Sequence, residues 1–403
     1  MNIVIVGGGA AGFFSAITCA ATNKSAKVTI VEKTDKLLSK VRVSGGGRCN
    51  VTNACDTLEE FVKHYPRGSE LLRTAFKTFS NKDTIAWFNK RSVKLKTEPD
   101  GRIFPVSDSS QTIIDCLLSE AAKYQIKIIT KFQVQSIKQT PSGFSITSAE
   151  QAALTADKII IASGGYPQIH HYNWLKELGL TIAEPVPSLF TFNIPASPIK
   201  ALMGVSQLAE VSIKQTSYSY KGPLLITHWG VSGPAVLKLS AFAARDLAIK
   251  KYNFDIQINW LGDTPNVSEN DLKIVREQHA KKLVRNVIPL GLPKRLWEVF
   301  CDQAEVRPFE NWAELGNKKL KLLFSFIKKY PLTASGKTTF KEEFVTCGGI
   351  SLDSINNQTL EALHCPGVYV AGEALDIDGI TGGFNFQAAW TTGYIAGLNC
   401  ASA

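Results

Sequence analysis

The chain lacks most of what marks a metal, membrane or secreted protein. Its eight cysteines, at positions 19, 49, 55, 116, 301, 347, 365 and 400, form no C-x-x-C pair. That argues against a zinc site or a disulfide framework and for reduced thiols in the cytosol. The six histidines show no paired metal spacing, so no metal is expected. No apolar run reaches the roughly 20 residues of a membrane span. Met1 practically begins the first strand, so no leader is expected ahead of it. Low-complexity segments and repeats are absent too. Lys and Arg are missing altogether from Thr346 to the C-terminus. The net charge of +10 therefore has to sit elsewhere. From Ala196 to Val345 there are 22 Lys and Arg against 14 Asp and Glu, while the rest of the chain has 23 against 21.

What is present begins at residue 2. Asn2–Val6 reads as a short apolar strand, and Gly7-Gly8-Gly9-Ala10-Ala11-Gly12 follows with no spacer. A helix rich in small residues comes next, then a strand at Val28–Val31 that ends in Glu32. This is G-x-G-x-x-G in a strand–helix–strand context with an acid 20 residues on, the pattern of a dinucleotide site. Gly7 permits the tight turn, Gly9 lets a pyrophosphate approach the backbone, and Gly12 lets the helix pack close to the sheet. The helix N-terminus offers free N–H groups and partial positive charge. Glu32 can accept hydrogen bonds from ribose hydroxyls.

Three more glycine-rich segments follow. Residues 34–56 read as a loop and contain Ser44-Gly45-Gly46-Gly47-Arg48-Cys49-Asn50-Val51-Thr52-Asn53. Three consecutive glycines cannot stiffen a helix or strand, but they let backbone lie flat against a planar ligand. Arg48 adds fixed charge, and Asn50 and Asn53 add amides. Ser163-Gly164-Gly165 follows the buried strand Lys158–Ala162. Gly372-Glu373 follows the strand Gly367–Ala371, and Gly382-Gly383-Phe384-Asn385 opens a helix running to about Cys400. In between, residues 57–96 look helical and basic, and Ile113–Tyr124 looks like an amphipathic helix. After Pro187 come short strands at Phe190–Ile194, Leu208–Gln215, Leu224–Thr227 and Asn253–Asn259, a helical stretch from Asn270 to Tyr330, and a strand at Phe340–Thr346. The nucleotide domain is thus expected to be discontinuous, built from both ends of the chain. That return favours FAD over NAD, because NAD dehydrogenases usually keep a continuous downstream catalytic domain.

The glycine segments, together with Gly101-Arg102-Ile103-Phe104-Pro105, Thr227-His228-Trp229-Gly230-Val231-Ser232-Gly233-Pro234 and Thr346-Cys347-Gly348-Gly349, resemble the BaiN/RdsA-like (YhiN-type) flavoproteins over essentially the whole chain. The resemblance implies an α/β, two-dinucleotide-binding-domain (Rossmann-like) FAD fold with an inserted β-barrel-like domain and a helical subdomain. The corresponding spans are 1–187 and 346–403 for the FAD-binding domain, 188–262 plus 331–345 for the β-rich insertion, and 263–330 for the helices.

Carried over by position, Gly7, Gly9, Ala10, Ala11 and Gly12 would hold the pyrophosphate, with Glu32 and Lys33 at the adenosine ribose. Lys40, Ser44, Gly45, Gly46, Gly47, Arg48, Cys49 and Asn50 would border the isoalloxazine. Val134 would meet the adenine through its backbone. Ser163 and Gly164 would pass the nucleotide, Gly372 and Glu373 would face the ribityl or pyrophosphate region, and Gly383, Phe384 and Asn385 would present helix N–H groups to the flavin's pyrimidine edge. The chain departs from the family at Ser39 and Val41-Arg42-Val43, on either side of Lys40. Cys49 and His228 are the candidate acids, set against packing roles for the same side chains.

FAD implies a redox enzyme. No second G-x-G-x-x-G marks a separate nicotinamide domain, so NAD(P)H would dock transiently as reductant. The resemblance leaves three substrate classes: a uracil of large-subunit ribosomal RNA reduced to dihydrouridine, a steroid-like bile acid intermediate, or a small amine. The basic middle of the chain favours RNA, whose phosphates attract Lys and Arg. An RNA-binding or assembly factor with a purely structural FAD is the alternative from another class.

Overall fold

A computed structural model of the chain describes residues 1–195, 197–262, 264, 266–338 and 345–402. It divides into two compact units, 1–188 with 341–403, and 189–340.

The first unit is built on a five-stranded parallel sheet. Its order is Val368–Val370, Lys158–Ile161, Asn2–Val6, Lys27–Val31 and Lys127–Ile129. These strands are mostly apolar, because helices cover a parallel sheet on both faces. Val4 pairs with Ile159 on one side and Thr29 on the other. The helix Ala10–Thr22 packs against the C-terminal helix Phe384–Ser402. That crossing is close because Gly393 and Gly397 lie one turn apart on it. A Cβ at Gly393 would stand 2.8 Å from the Ala11 carbonyl oxygen, and one at Gly397 would stand 2.6 Å from that of Ser15. The end of the chain thus returns to the sheet and helix with which it begins. Three small antiparallel sheets complete the unit. They are Thr52–Asn53/Arg102–Pro105/Leu95–Thr97, Val134–Thr140/Gly143–Ser148/Leu154–Ala156, and the ribbon Ile182–Ser188/Val345–Ile350.

Two local expectations change. The segment read as a loop holds a helical turn from Ser39, because Leu38 and Val41 are both buried and anchor it. The helical geometry fails at Ser44, and Gly45 and Gly46 are left-handed (φ 57° and 68°). The basic stretch 57–96 divides into the helices Leu58–Val62, Ser69–Ala75 and Asn81–Asn89, followed by the strand Leu95–Thr97.

The second unit is an antiparallel seven-stranded sheet with helices packed on it. The order is Tyr330–Ser335, Asn253–Asn259, Ser206–Ile213, Ser219–Ile226, Gly230–Ser232, Thr191–Asn193 and Lys337–Thr338. The two end strands are consecutive in sequence. Gly336 between them donates to Tyr252 O and accepts from Asn193 N, which curls the sheet toward closure. Phe254, Ile256 and Ile258 face inward while Asp255, Gln257 and Asn259 alternate outward, as a half-buried strand requires. The helices do not stand apart from this sheet. Trp297, Phe300, Trp312, Leu320 and Ile327 share one core with Phe192, Ile256 and Trp260. Most of the strand expected at Phe340–Thr346 lies outside the described residues, and Val345–Ile350 is a strand. Among the described residues, no helix is long and apolar enough to cross a membrane.

Candidate functional site

The first glycine turn separates structural glycines from an open one. Gly7 has φ +119°, and a Cβ there would lie 2.2 Å from the Ala162 carbonyl oxygen. A Cβ at Gly12 would lie 1.9 Å from Gly7 O, so the helix sits as close to the turn as backbone allows. Gly9 differs. Its backbone is extended (φ −94°), and a Cβ would meet nothing within 4 Å. Gly9 caps Ala10–Thr22 without any side-chain cap. The first N–H groups of that helix, on Ala10, Ala11 and Gly12, therefore face a space that no side chain fills. Gly164 (φ +75°), beyond Ser163 on the adjacent strand end, is open in the same way. This is the backbone cradle a pyrophosphate requires.

Glu32 stands at the rim of the turn. Its Oε2 accepts from Gly8 N (2.9 Å), and its Oε1 accepts from the backbone N and the Oγ1 of Thr34 (3.0 Å each). A carboxylate has about four acceptor positions, so one remains for a ribose hydroxyl. The chain at 129–132 runs alongside: Glu32 N donates to Ile129 O, and Phe132 N donates to Glu32 O. Val134 follows two residues later, half-buried, at the start of its strand. Lys33 is exposed, with Nζ 5.4 Å from the Tyr166 ring centroid.

The second segment is laced to the last one. The Asn50 amide oxygen accepts from Gly383 N (2.9 Å), while its nitrogen donates to Thr52 O (3.0 Å) and Ile103 O (3.3 Å). Asn53 Nδ2 donates to Gly382 O (3.0 Å), Thr52 Oγ1 to Gln387 Oε1 (2.6 Å), and Trp390 Nε1 to Val51 O (2.9 Å). These bonds place the left-handed run Gly45, Gly46 and Gly47 in the same unit as the start of the Phe384–Ser402 helix. Cβ atoms at Gly46 and Gly47 would again meet nothing within 4 Å. A Cβ at Gly45 would press on the Phe104 ring at 2.9 Å. Ser44 closes the turn beneath, accepting from Cys49 N (3.0 Å) and donating its hydroxyl to Val41 O.

Arg48 points into a carboxylate pair. Its Nη1 lies 2.6 Å from Glu98 and 3.5 Å from Asp108, and its guanidinium stacks 4.0 Å from the Phe104 centroid. The hydrogen bond to Glu98 raises its pKa further, so the charge is permanent but already balanced. Cys49 is fully buried, and burial pushes its thiol up to about 12. A side chain that would touch a cofactor or substrate keeps accessible surface in the bare protein, and this one keeps none. Its position is that of a packing residue under the glycine turn. Cys49→Ser is therefore expected to keep its flavin. Its turnover should fall far less than the about 10²- to 10⁴-fold that follows removal of a general acid. Steady-state kinetics with the reduced cofactor checks this, and a loss of that size would restore Cys49 as the acid.

At the third segment, Glu373 Oε2 pairs with Lys40 Nζ (2.5 Å), and its Oε1 accepts from Thr346 N (2.9 Å). Gly372, at φ +70°, donates to Thr392 Oγ1, and a Cβ there would lie 2.7 Å from Ala11 Cβ. Glu373 and the first helix are thus held on one framework. The Phe384–Ser402 helix opens after Gly382 and Gly383, both with positive φ. Its first-turn N–H groups have no intrahelical acceptor. The Asn385 side chain does not point outward from this helix end. It bonds back to Gly379 N and O, both at 2.8 Å, and closes the preceding loop. Phe384 is buried against Phe61 and His64.

Sequence reasoning missed the clamp on that loop. Arg67 holds Asp378 through two nitrogens, and Ser188 Oγ donates to the same carboxylate (2.8 Å). Tyr65 OH donates to Phe384 O (2.7 Å), and Ile380 N donates to His64 O (2.9 Å). Asp378 is fully buried. Burial raises its pKa, and Arg67 opposes that. The trace in the sequence is the pair Asp376 and Asp378 in a loop with no basic residue. His228 lies in the second unit, on an exposed turn, with its ring 4.5 Å from that of Trp229.

A family model described as the HI0933-like protein Rossmann domain matches residues 1–399. A Clostridium scindens protein named 3-dehydro-bile acid delta(4,6)-reductase is 28% identical over 409 residues, with 98% of each chain covered. A Haemophilus influenzae protein named ribosomal RNA dihydrouridine synthase is 29% identical, with 98% of this chain and 97% of the relative covered. Among solved structures, the 3-ketosteroid-delta4-(5alpha)-dehydrogenase of Rhodococcus jostii RHA1 superposes with a TM-score of 0.53 at 13% identity. That match covers 100% of this chain and 96% of the other, and it speaks to fold alone.

Proposed function

The chain belongs to the HI0933-like Rossmann family and is an FAD-dependent oxidoreductase, and from that premise we propose that it reduces a carbon–carbon double bond conjugated to a carbonyl, in a uracil of large-subunit ribosomal RNA. Both relatives' names describe hydrogen added across such a bond, in a 3-dehydro bile acid and in uridine. When bound and reduced, FAD supplies the hydride. The chain's residues do the rest by position. The open cradle at Gly9 and the Ala10–Thr22 helix end would hold the pyrophosphate. Glu32, fixed by Gly8 and Thr34, would take the ribose. The N-terminus of the Phe384–Ser402 helix, held by Asn50 and the Asp378 clamp, would turn its remaining N–H donors toward the flavin's pyrimidine edge. Reduction of the double bond takes one hydride and one proton; solvent water would be the source of the proton, and NAD(P)H, docking transiently, would be the source of the two electrons.

The observation that carries the RNA reading is the location of the charge. Within the second unit Arg285 and Lys319 are taken up by Asp302 and Glu310. Lys250, Lys251, Lys281, Lys282, Lys318 and Lys321 are exposed on the surface of that unit. A bile acid has no use for such a surface, whereas a phosphate backbone does. Deletion of the gene is expected to remove one dihydrouridine from large-subunit ribosomal RNA, and re-expression to restore it. Nucleoside mass spectrometry reads both, and an unchanged dihydrouridine level would overturn the RNA substrate. The bile-acid relative matches this chain about as well, so a small enone is the second reading. NAD(P)H consumption driven by a conjugated ketone but not by RNA would favour it.

A further inference from the structure

The second unit displays an aromatic pair on a rigid turn. Trp229 is 48% exposed, and the His228 ring lies 4.5 Å from it at 43°. Single exposed apolar side chains are ordinary on a protein surface, but here two rings are paired on one turn. Five hydrogen bonds hold this turn. Thr227 N donates to Gly230 O (2.8 Å), and Thr227 Oγ1 also reaches that oxygen. Thr227 Oγ1 accepts from both Trp229 N and Gly230 N, and Ile194 N donates to Trp229 O (2.9 Å). Gly230 has φ +155°, and a Cβ there would lie 2.3 Å from Phe192 O, so the backbone is locked onto its neighbouring strand. The indole is held out in advance of binding.

The same hydrogen-bonded neighbourhood carries cations. Ile194, which grips Trp229, is followed by Pro195, whose carbonyl oxygen lies 3.5 Å from Lys200 Nζ. Arg295 Nη2 donates to Ala201 O (2.7 Å), next along the chain from Lys200. Met203 on the same segment is 57% exposed, and the following residue, Gly204, donates to Ile226 O. A flat aromatic face, with a soft apolar side chain and two cations on the segment hydrogen-bonded to its turn, suits an unpaired nucleotide. The base stacks, and the phosphates on either side meet Lys200 and Arg295. We propose that the 227–230 turn is a stacking platform for a single-stranded segment of the RNA substrate. This deepens the RNA reading above and rests on it.

The test measures binding of the holoenzyme to a short uridine-rich single-stranded RNA by fluorescence anisotropy, across a salt series. Trp229→Ala is expected to weaken binding about 5- to 150-fold, the cost of losing one stacked base, with the salt dependence unchanged. Trp229→Phe, which keeps an aromatic face, is expected to retain most of the affinity. The double variant Lys200→Ala/Arg295→Ala is expected to reduce the slope of log affinity against log salt by about 1.4, for two phosphate contacts on a single strand. Wild-type affinity in Trp229→Ala, or equal losses in the Ala and Phe variants, would overturn the platform and leave the RNA reading standing. A wild-type holoenzyme with no salt-sensitive RNA affinity would overturn both.

Discussion

Gly9→Val is expected to give a folded protein without flavin. The prediction turns on a difference between neighbouring glycines. At Gly7 and Gly12 an added Cβ would lie 2.2 Å and 1.9 Å from carbonyl oxygens of the protein itself. Substitution there breaks the strand–helix turn before any ligand is considered. At Gly9 the backbone is extended, a conformation valine accepts, and an added Cβ meets nothing within 4 Å. The only thing it displaces is what lies against the helix N-terminus. Two charge-assisted hydrogen bonds to a pyrophosphate are worth about 1.5–3 kcal/mol each, so FAD affinity should fall about 10²- to 10⁴-fold. The apoprotein should melt within about 2 °C of wild-type apoprotein, since exposed substitutions change stability by about 0.5 kcal/mol or less. Flavin absorbance after gel filtration and a thermal melt give the two readouts. Wild-type flavin content in Gly9→Val would remove the pyrophosphate from this turn. Gly12→Val serves as the contrast and should lose fold and flavin together.

The same contrast shows what sequence can reveal. The strand–glycine–helix–strand unit is legible because its demands are local. A tight turn needs Gly7 and a close helix needs Gly12, and both requirements are visible within 12 residues. The return of the C-terminal segment is legible because Val368–Val370 is an apolar strand ending in Gly372-Glu373, and it does join the sheet beside Lys158–Ile161. Partnerships over long sequence distances are not legible. Asn50 to Gly383, Thr52 to Gln387 and Arg67 to Asp378 each span more than 300 residues. No periodicity or spacing rule selects one such pair over another. Arg48 shows the opposite failure. Beside three glycines its charge reads as a ligand contact, yet Glu98 and Asp108, 50 and 60 positions away, already balance it. The helical turn at Ser39 was hidden because its glycine-rich end dominates the composition of the segment.

The Arg67–Asp378 clamp carries the second large effect. Asp378→Ala leaves the Arg67 guanidinium, whose side chain is only 11% exposed, facing a cavity, and it strips Ser188 Oγ of its acceptor. Breaking a buried pair from one side costs about 3–5 kcal/mol. At about 2.1 cal/mol/K of unfolding entropy per residue, that lowers the melting temperature of a 403-residue chain by about 4–6 °C. Asp378→Asn should cost less, because an amide oxygen still accepts from Arg67 or Ser188. The pH dependence has a definite sign. Burial raises the Asp378 pKa above its unfolded value, so its contribution is fully present below the ordinary carboxylate range of about 3.9. That contribution is lost as pH rises through the higher folded value. Acidification from neutrality toward that range should therefore widen the stability gap between wild type and Asp378→Asn. Arg67→Met/Asp378→Leu, which replaces the pair with apolar groups, should recover much of what the single change loses, and a double-mutant cycle measures the coupling. The loop from Asp376 to Gly383 ends at the helix N-terminus that would face the flavin. The single variants should therefore also bind FAD more weakly, while the apolar double variant regains stability first and flavin affinity only as far as the loop returns to place. A melting temperature for Asp378→Ala within about 2 °C of wild type would show that the loop is held by its other hydrogen bonds, and that the buried charges play no part in positioning it.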